Sequence, residues 1–229
     1  GTGLSSCGPT LARTVNMIDR DSVHSLFDDV VLAYGGMDTL IVTAGIFFPP
    51  DDAGRISDSQ WRQTYDVNVI GPAMVAEEAQ QVWLRQGLPA NLILTSSVNA
   101  TVSKAGSLAY DSSKAALNHL VRELAIQLAP LIRVNALAPA TVVAGSSMFP
   151  RDRVISSLAK YQLPFNEEED TETLRDRLAT FYAQRTLLKT EISADHQAEA
   201  LFLMASERLS RTTGQLLNVD GGLHEAFVR

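Results

Sequence analysis

Cysteine is almost absent from this sequence: Cys7 is the only one in 229 residues, which excludes an intrachain disulfide framework and a cysteine-built zinc cage and points to a reducing compartment. Histidine is scarce as well. The four, His24, His119, His196 and His224, show no HExxH or comparable ligand spacing, so no metal site is expected. Basic charge is in deficit, with 19 Lys and Arg against 26 Asp and Glu and a formal charge of −7. That balance argues against a nucleic-acid partner, whose phosphates demand clustered cations. Long apolar runs are missing too. The uncharged window 134–150 is broken by Pro139, Gly145 and Pro150 and is too short to cross a bilayer, and no signal peptide opens the chain. The expectation is a cytoplasmic protein that acts on a small molecule, without nucleic-acid or membrane partners.

What is present is enough apolar material for a sizeable core: 45% hydrophobic residues against 20% charged. Short β-type runs alternate with longer amphipathic stretches, the pattern of βαβ units in an α/β fold with a parallel sheet covered on both faces. Residues 14–17 read as a weak first strand. Asp19 and Asp21 then start a helix with Val23, Phe27, Val30 and Tyr34 at helical spacing, stopped by Gly35 and Gly36. Buried strands are expected at 38–44, 91–95, 131–136 and 215–219, continuous rather than alternating because helices cover both faces. Between them, 58–85 reads as a long helix kinked by Pro72, 105–128 as a second helix and 193–205 as the last. A segment within 137–189, hydroxyl-rich and then acidic, stands apart, and 145–190 is expected to be a lid or substrate-side insertion.

Tyr110 and Lys114, in the string YDSSK, lie four residues apart near a helix start, so both side chains rise from one face. An ammonium near a phenol favours the phenolate and is expected to lower its pKa from about 10, making Tyr110 a general acid/base near neutrality. Ser96 and Ser97 stand at the carboxyl end of the strand NLILT, where open parallel sheets place ligands.

The segments LTSSVNA, YDSSKAA, VNALAPA and TGQLLNVDGG, in that order, resemble the short-chain dehydrogenase/reductase family from about residue 14 onward. The resemblance implies a Rossmann-like doubly wound parallel sheet and transfer of hydride between a nicotinamide cofactor and a small alcohol or aldehyde. Residue by residue, it implies Tyr110 as acid/base, Lys114 as its partner and a ligand of the nicotinamide ribose, and Ser97 as holder of the substrate oxygen. Asn68, in YDVNVIG, would anchor a water beside the lysine for proton relay. Asn16 would touch the adenine, with Asn in place of the family's usual aspartate. Ala44 and Gly45 match the end of its NNAG motif, whose asparagines are here Val42 and Thr43. Pro139 matches, Ala140 replaces a glycine, and Val142 would face the nicotinamide amide, so that cofactor contacts are expected from Asn16, Ala44, Gly45, Tyr110, Lys114, Pro139 and Val142. Ser146 and Ser147 could reach the pyrophosphate, although loop hydroxyls need no such role. The stretch PATVVAGSSMFPRDRV, the insertion and the tail are most similar to the dehydrogenase half of bifunctional rhamnulose-1-phosphate aldolase/lactaldehyde dehydrogenase proteins. That branch implies NAD-linked oxidation of lactaldehyde to lactate and an upstream aldolase domain on the natural chain. A homo-oligomer is expected for this architecture.

One element is missing. The family's glycine-rich turn TGxxxGxG, where backbone N–H groups receive the pyrophosphate, has no counterpart, and Gly1, Gly3 and Gly8 lack its spacing. In the family's strand order 3-2-1-4-5-6-7 the first strand here is number 3, so the first βαβ unit is absent, 14–17 has no neighbour, and the next strand is expected to have an exposed apolar edge. Three accounts stand: upstream residues on the natural chain, cleavage, or lost cofactor binding. NAD and NADP are both open, because the discriminating residue ends the missing second strand. Two rivals remain, a noncatalytic scaffold on a degenerate nucleotide fold and a serine hydrolase, the latter without a GxSxG elbow.

Overall fold

Asp19 accepts hydrogen bonds from the N–H groups of Asp21 and Ser22 and so starts helix α1 (Arg20–Tyr34), which ends where Gly35 takes a left-handed conformation. The computed structural model describes residues 8–146 and 148–227. After α1 come β1 (Thr39–Val42), α2 (Asp58–Tyr65), a π-helical turn (Asp66–Ile70) and α3 (Gly71–Gln86), then β2 (Ala90–Thr95), α4 (Leu108–Leu128) and β3 (Ile132–Pro139). The chain continues with α5 (Arg151–Lys160), α6 (Thr171–Gln184), α7 (Ala194–Ala205) and β4 (Leu216–Val219).

The four strands form one parallel sheet in the order β1-β2-β3-β4, with Leu92 beside Leu40 and Val134 and with Pro139 beside Val219. Helices cover both faces. On one, Val23 and Phe27 of α1, Ala79 and Trp83 of α3 and Leu117 and Val121 of α4 bury Leu92, Leu94 and Val134. On the other, Met204 of α7 packs with Ile93 and Leu137. Each such side chain removed from water contributes about 1.5–3 kcal/mol, which is why β2 carries continuous apolar residues instead of alternating ones. A separate apolar cluster, Val143, Phe149, Val154, Leu158, Leu174 and Leu178, holds α5 and α6 to each other.

The entry to β1 is tied by Gln86, whose Oε1 accepts from Met37 N at 2.9 Å, while Trp83 Nε1 and Gln86 Nε2 both donate to Met37 O. Gly36 permits this approach. Its φ is 155°, and a Cβ there would lie 2.6 Å from Gln86 Oε1.

Two sequence expectations are corrected. Residues 14–17 form no strand: no strand lies beside them among the described residues, and Asn16 instead turns the chain, accepting from Asp19 N at its carbonyl. The helix expected at 58–85 is three pieces, because Gly71 N–H bonds to Asp66 O, five residues back, and Pro72 follows in the first turn of α3. β1 is flanked on one side by β2 alone, and Ile41 is 40% exposed there. Among the described residues no helix is long and apolar enough to cross a membrane.

Candidate active site

Parallel strands end on one side of the sheet, so the loops after β1, β2, β3 and β4 meet there. The β2 loop brings Ser97, in an extended conformation, to cap the short turn Val98–Ala100, its Oγ accepting from Asn99 N at 3.2 Å. Facing it, the first turn of α4 presents Tyr110. One turn further in, Lys114 is buried and its Nζ donates to Thr95 O at 2.8 Å, lying 5.7 Å from the centre of the Tyr110 ring. Ser97, Tyr110 and Lys114 therefore lie side by side, with the Ser97 hydroxyl at the Tyr110 phenol.

Asn68 joins this group through the π turn, a wound-out segment of helix of the kind found at functional sites. Wholly buried, its side chain clasps the backbone after β1: Nδ2 donates to Ile46 O at 3.0 Å and Oδ1 accepts from Ile46 N at 2.9 Å. Nδ2 also donates to Ser113 Oγ, which itself donates to Tyr110 O. Pro72 has no N–H to offer the Asn68 carbonyl four residues back, so that oxygen lacks its usual helical donor. Gly45 completes the pocket floor, for a Cβ on it would lie 3.3 Å from Lys114 Nζ and 3.4 Å from Asn68 Oδ1.

The electrostatics differ from the sequence expectation. Burial holds the Lys114 ammonium down at about 8. Burial also raises the Tyr110 phenol above its usual value, and the nearby Ser97 hydroxyl draws it only partly back. Desolvation, which penalises the charged form of each, thus outweighs the expected attraction between ammonium and phenolate.

Other expected residues are distributed around the same edge. Ala44 and Gly45 follow β1, and Pro139 ends β3 with Val142 in the loop beyond it. Asn16 is exposed, and its Oδ1 accepts from Ile18 N in its own turn. Ser146 Oγ caps Met148 N, and Ser147 lies outside the described residues.

Several contributors escaped the sequence reading. Ser113 is one, although its place between Tyr110 and Lys114 on a single helix was a signal. Asn118 of α4, bonded to the expected Ser96, is another, and Asp111 accepts from Asn99 Nδ2 at 2.8 Å and from Ser107 Oγ at 2.6 Å, latching the β2 loop to α4. Phe47 sets its ring at 76° to that of Tyr110, 5.7 Å between centres. Against Phe47 lies Arg153, from the start of α5. No motif marks either residue.

The family model described as Enoyl-(Acyl carrier protein) reductase matches residues 4–174, about three quarters of the chain. The chain belongs to the short-chain dehydrogenase/reductase family. A glucose 1-dehydrogenase of Gluconobacter oxydans is 31% identical over 92% of this chain and 71% of its own. An uncharacterized oxidoreductase of Bacillus subtilis, YuxG, is 30% identical over 97% of this chain, which spans 31% of that protein's length. Among solved structures, ligand-free aldohexose dehydrogenase from Thermoplasma acidophilum has a TM-score of 0.77 at 25% identity, covering 91% of this chain and 76% of its own. Sorbitol-6-phosphate 2-dehydrogenase from Erwinia amylovora, 22% identical with a TM-score of 0.81 over 93% of this chain and 78% of its own, shares the fold.

Short-chain dehydrogenases imply a nicotinamide cofactor, and one end of this cleft suits its ribose. Lys114 uses a single N–H on Thr95 O and keeps others for ribose hydroxyls, and Gly45 leaves open the space a side chain would fill. The pyrophosphate end has no glycine-rich counterpart among the described residues.

Proposed function

We propose that this chain is the catalytic part of an NAD- or NADP-dependent oxidoreductase acting on a small alcohol or aldehyde. The observation that carries the reading is the grouping of Ser97, Tyr110 and Lys114 where β2 ends and α4 begins. When bound, the nicotinamide cofactor provides the donor or acceptor of hydride. Ser97 holds the substrate oxygen, and Tyr110 gives its proton to that oxygen as the neutral phenol during reduction and takes one from it as the phenolate during oxidation. Lys114 holds the ribose and balances the charge left on Tyr110. Asn68 and Ser113 keep the lysine, the π turn and the β1 loop in register.

Cofactor contacts are assigned to Asn16, Ala44, Gly45, Tyr110, Lys114, Pro139 and Val142, with 145–190 as the substrate-side lid. Lactaldehyde, as its hydrate, is the first substrate to assay, in a homo-oligomeric protein of the cytoplasm whose natural chain also carries an aldolase domain. Family membership and the greater length of the Bacillus subtilis relative support this reading.

The test is Tyr110→Phe, which removes the exchangeable proton and keeps the ring against Phe47. Turnover should fall by about 10²–10⁴ with the circular-dichroism spectrum and melting temperature retained. Near-normal turnover would remove the proposal. The rival is a noncatalytic scaffold on the same fold, and titration with NADH separates the two.

A further inference from the structure

A cavity adjoins this site at the residues that follow Ser97. It runs from Val98 and Asn99, next to Ser97, to Tyr161, Tyr182 and Arg185 of the α5–α6 insertion and its exit, with Lys104 on its wall. In a chain with a formal charge of −7, cations gather here: the charges of Arg153 and Lys160 both reach Lys104, and that of Arg153 reaches Tyr110.

Arg153 is set apart from the other arginines of the insertion by the two aromatic rings that hold it. Arg151 is tied to Thr171 Oγ1 and the Glu167 backbone carbonyl, Arg175 to Glu172 and the Phe149 carbonyl, and Arg177 to both oxygens of Glu169. Arg153, half-buried, has no carboxylate partner among the described residues. Its guanidinium lies 4.3 Å from the ring centre of Phe47 and 4.8 Å from that of Phe149, and Nη1 donates to Met148 O at 2.7 Å. Aromatic faces offset part of the cost of withdrawing a cation from water, and they leave the edge of the fork free. Of the acids nearby, Asp111 is held by Asn99 and Ser107 and Glu225 lies 4.0 Å from Arg185, while Glu191 lines the cavity with Thr190.

The ring of Phe47 packs against both this guanidinium and the ring of Tyr110. We propose that Arg153, braced between Phe47 and Phe149, receives an anionic oxygen group, carboxylate or phosphate, on the substrate while Ser97 and Tyr110 hold the reacting oxygen at its other end. Preferred substrates are then short hydroxy or carbonyl compounds bearing a negative charge, and neutral lactaldehyde is a poorer one. Planar paired oxygens of carboxylate or phosphate match a guanidinium fork in a way a lysine point charge does not. This inference rests on the oxidoreductase reading.

The experiment compares the purified full chain with Arg153→Gln and Arg153→Lys on 1,2-propanediol and lactaldehyde (neutral), 3-hydroxybutyrate (carboxylate) and glycerol 3-phosphate (phosphate), with NAD and NADP. The expected result is a preference of the wild type for one charged class, identifying the group. The ratio of kcat/KM for charged over neutral substrate should fall about 100-fold in Arg153→Gln, mostly through KM, and by less in Arg153→Lys. An unchanged ratio, or a wild-type preference for the neutral compounds, overturns the proposal. Calorimetric binding of 3-hydroxybutyrate and glycerol 3-phosphate is measured alongside. Binding lost in Arg153→Gln without any turnover in the wild type would sink the oxidoreductase reading and keep the anion site; equal binding, or none, to both proteins with no turnover would sink the anion site as well.

Discussion

Lys114 shows how one residue sets a pH dependence. Its ammonium is 3% exposed and its pKa is lowered from 10.5 to about 8 by burial. Between those values the unfolded chain binds a proton that the folded chain does not, so stability rises with pH across the window from about 8 to 10.5. Below pH 8 the folded state carries the full penalty of a buried charge. A shift of this size corresponds to about 3 kcal/mol. Urea unfolding of the cofactor-free protein and of Lys114→Met should therefore give a stability difference that moves by about that amount, in favour of the wild type, as pH climbs through the window. A difference that is flat with pH would show that Lys114 keeps an ordinary pKa. The motif string gave the position of this lysine and its helical face, because spacing is local. It could not give the dielectric around it, which depends on Thr95, Gly45 and Asn68 arriving from other elements.

At the scale of elements, the π turn is the piece that joins the sheet edge to the catalytic helix. Asn68 satisfies both backbone groups of Ile46 and reaches Ser113, so the β1 loop, the α2–α3 junction and α4 are linked by one side chain. Asn68→Ala would leave the Ile46 N–H and C=O partly unsatisfied. The expected cost is about 2–4 kcal/mol of unfolding free energy, together with loss of turnover, read by denaturant titration and assay. An unchanged midpoint would mean that water replaces the amide without loss. Elements with local signals were legible beforehand: Asp19 and Gly35 bracket α1, and Ser193 caps α7 with His196. The break at Asp66–Ile70 was anticipated only as a kink, since Pro72 announces a lost hydrogen bond but not the π register chosen around it. The strand expected at 14–17 failed for a non-local reason, because a strand needs a neighbour and none lies beside it among the described residues.

Over the whole molecule, apolar side chains fall into a main core around β2 and β3 and a second cluster inside the insertion. α5 and α6 contact each other more than any other helix or strand. Arg153 stands on α5, so the shape of the anion end of the cleft depends on the second cluster, whereas Ser97, Tyr110 and Lys114 depend on the first. Such an arrangement lets the insertion open without unfolding the sheet, since local stability follows local apolar contact. Leu178, wholly buried in α6 against this cluster, provides the test. Leu178→Ala should remove about 2–5 kcal/mol of packing, and hydrogen exchange should quicken across α5 and α6 while amides of β2 and β3 keep their protection. Equal loss of protection in the strands would show that the two clusters unfold as one cooperative unit, with α5 and α6 no more mobile than the sheet.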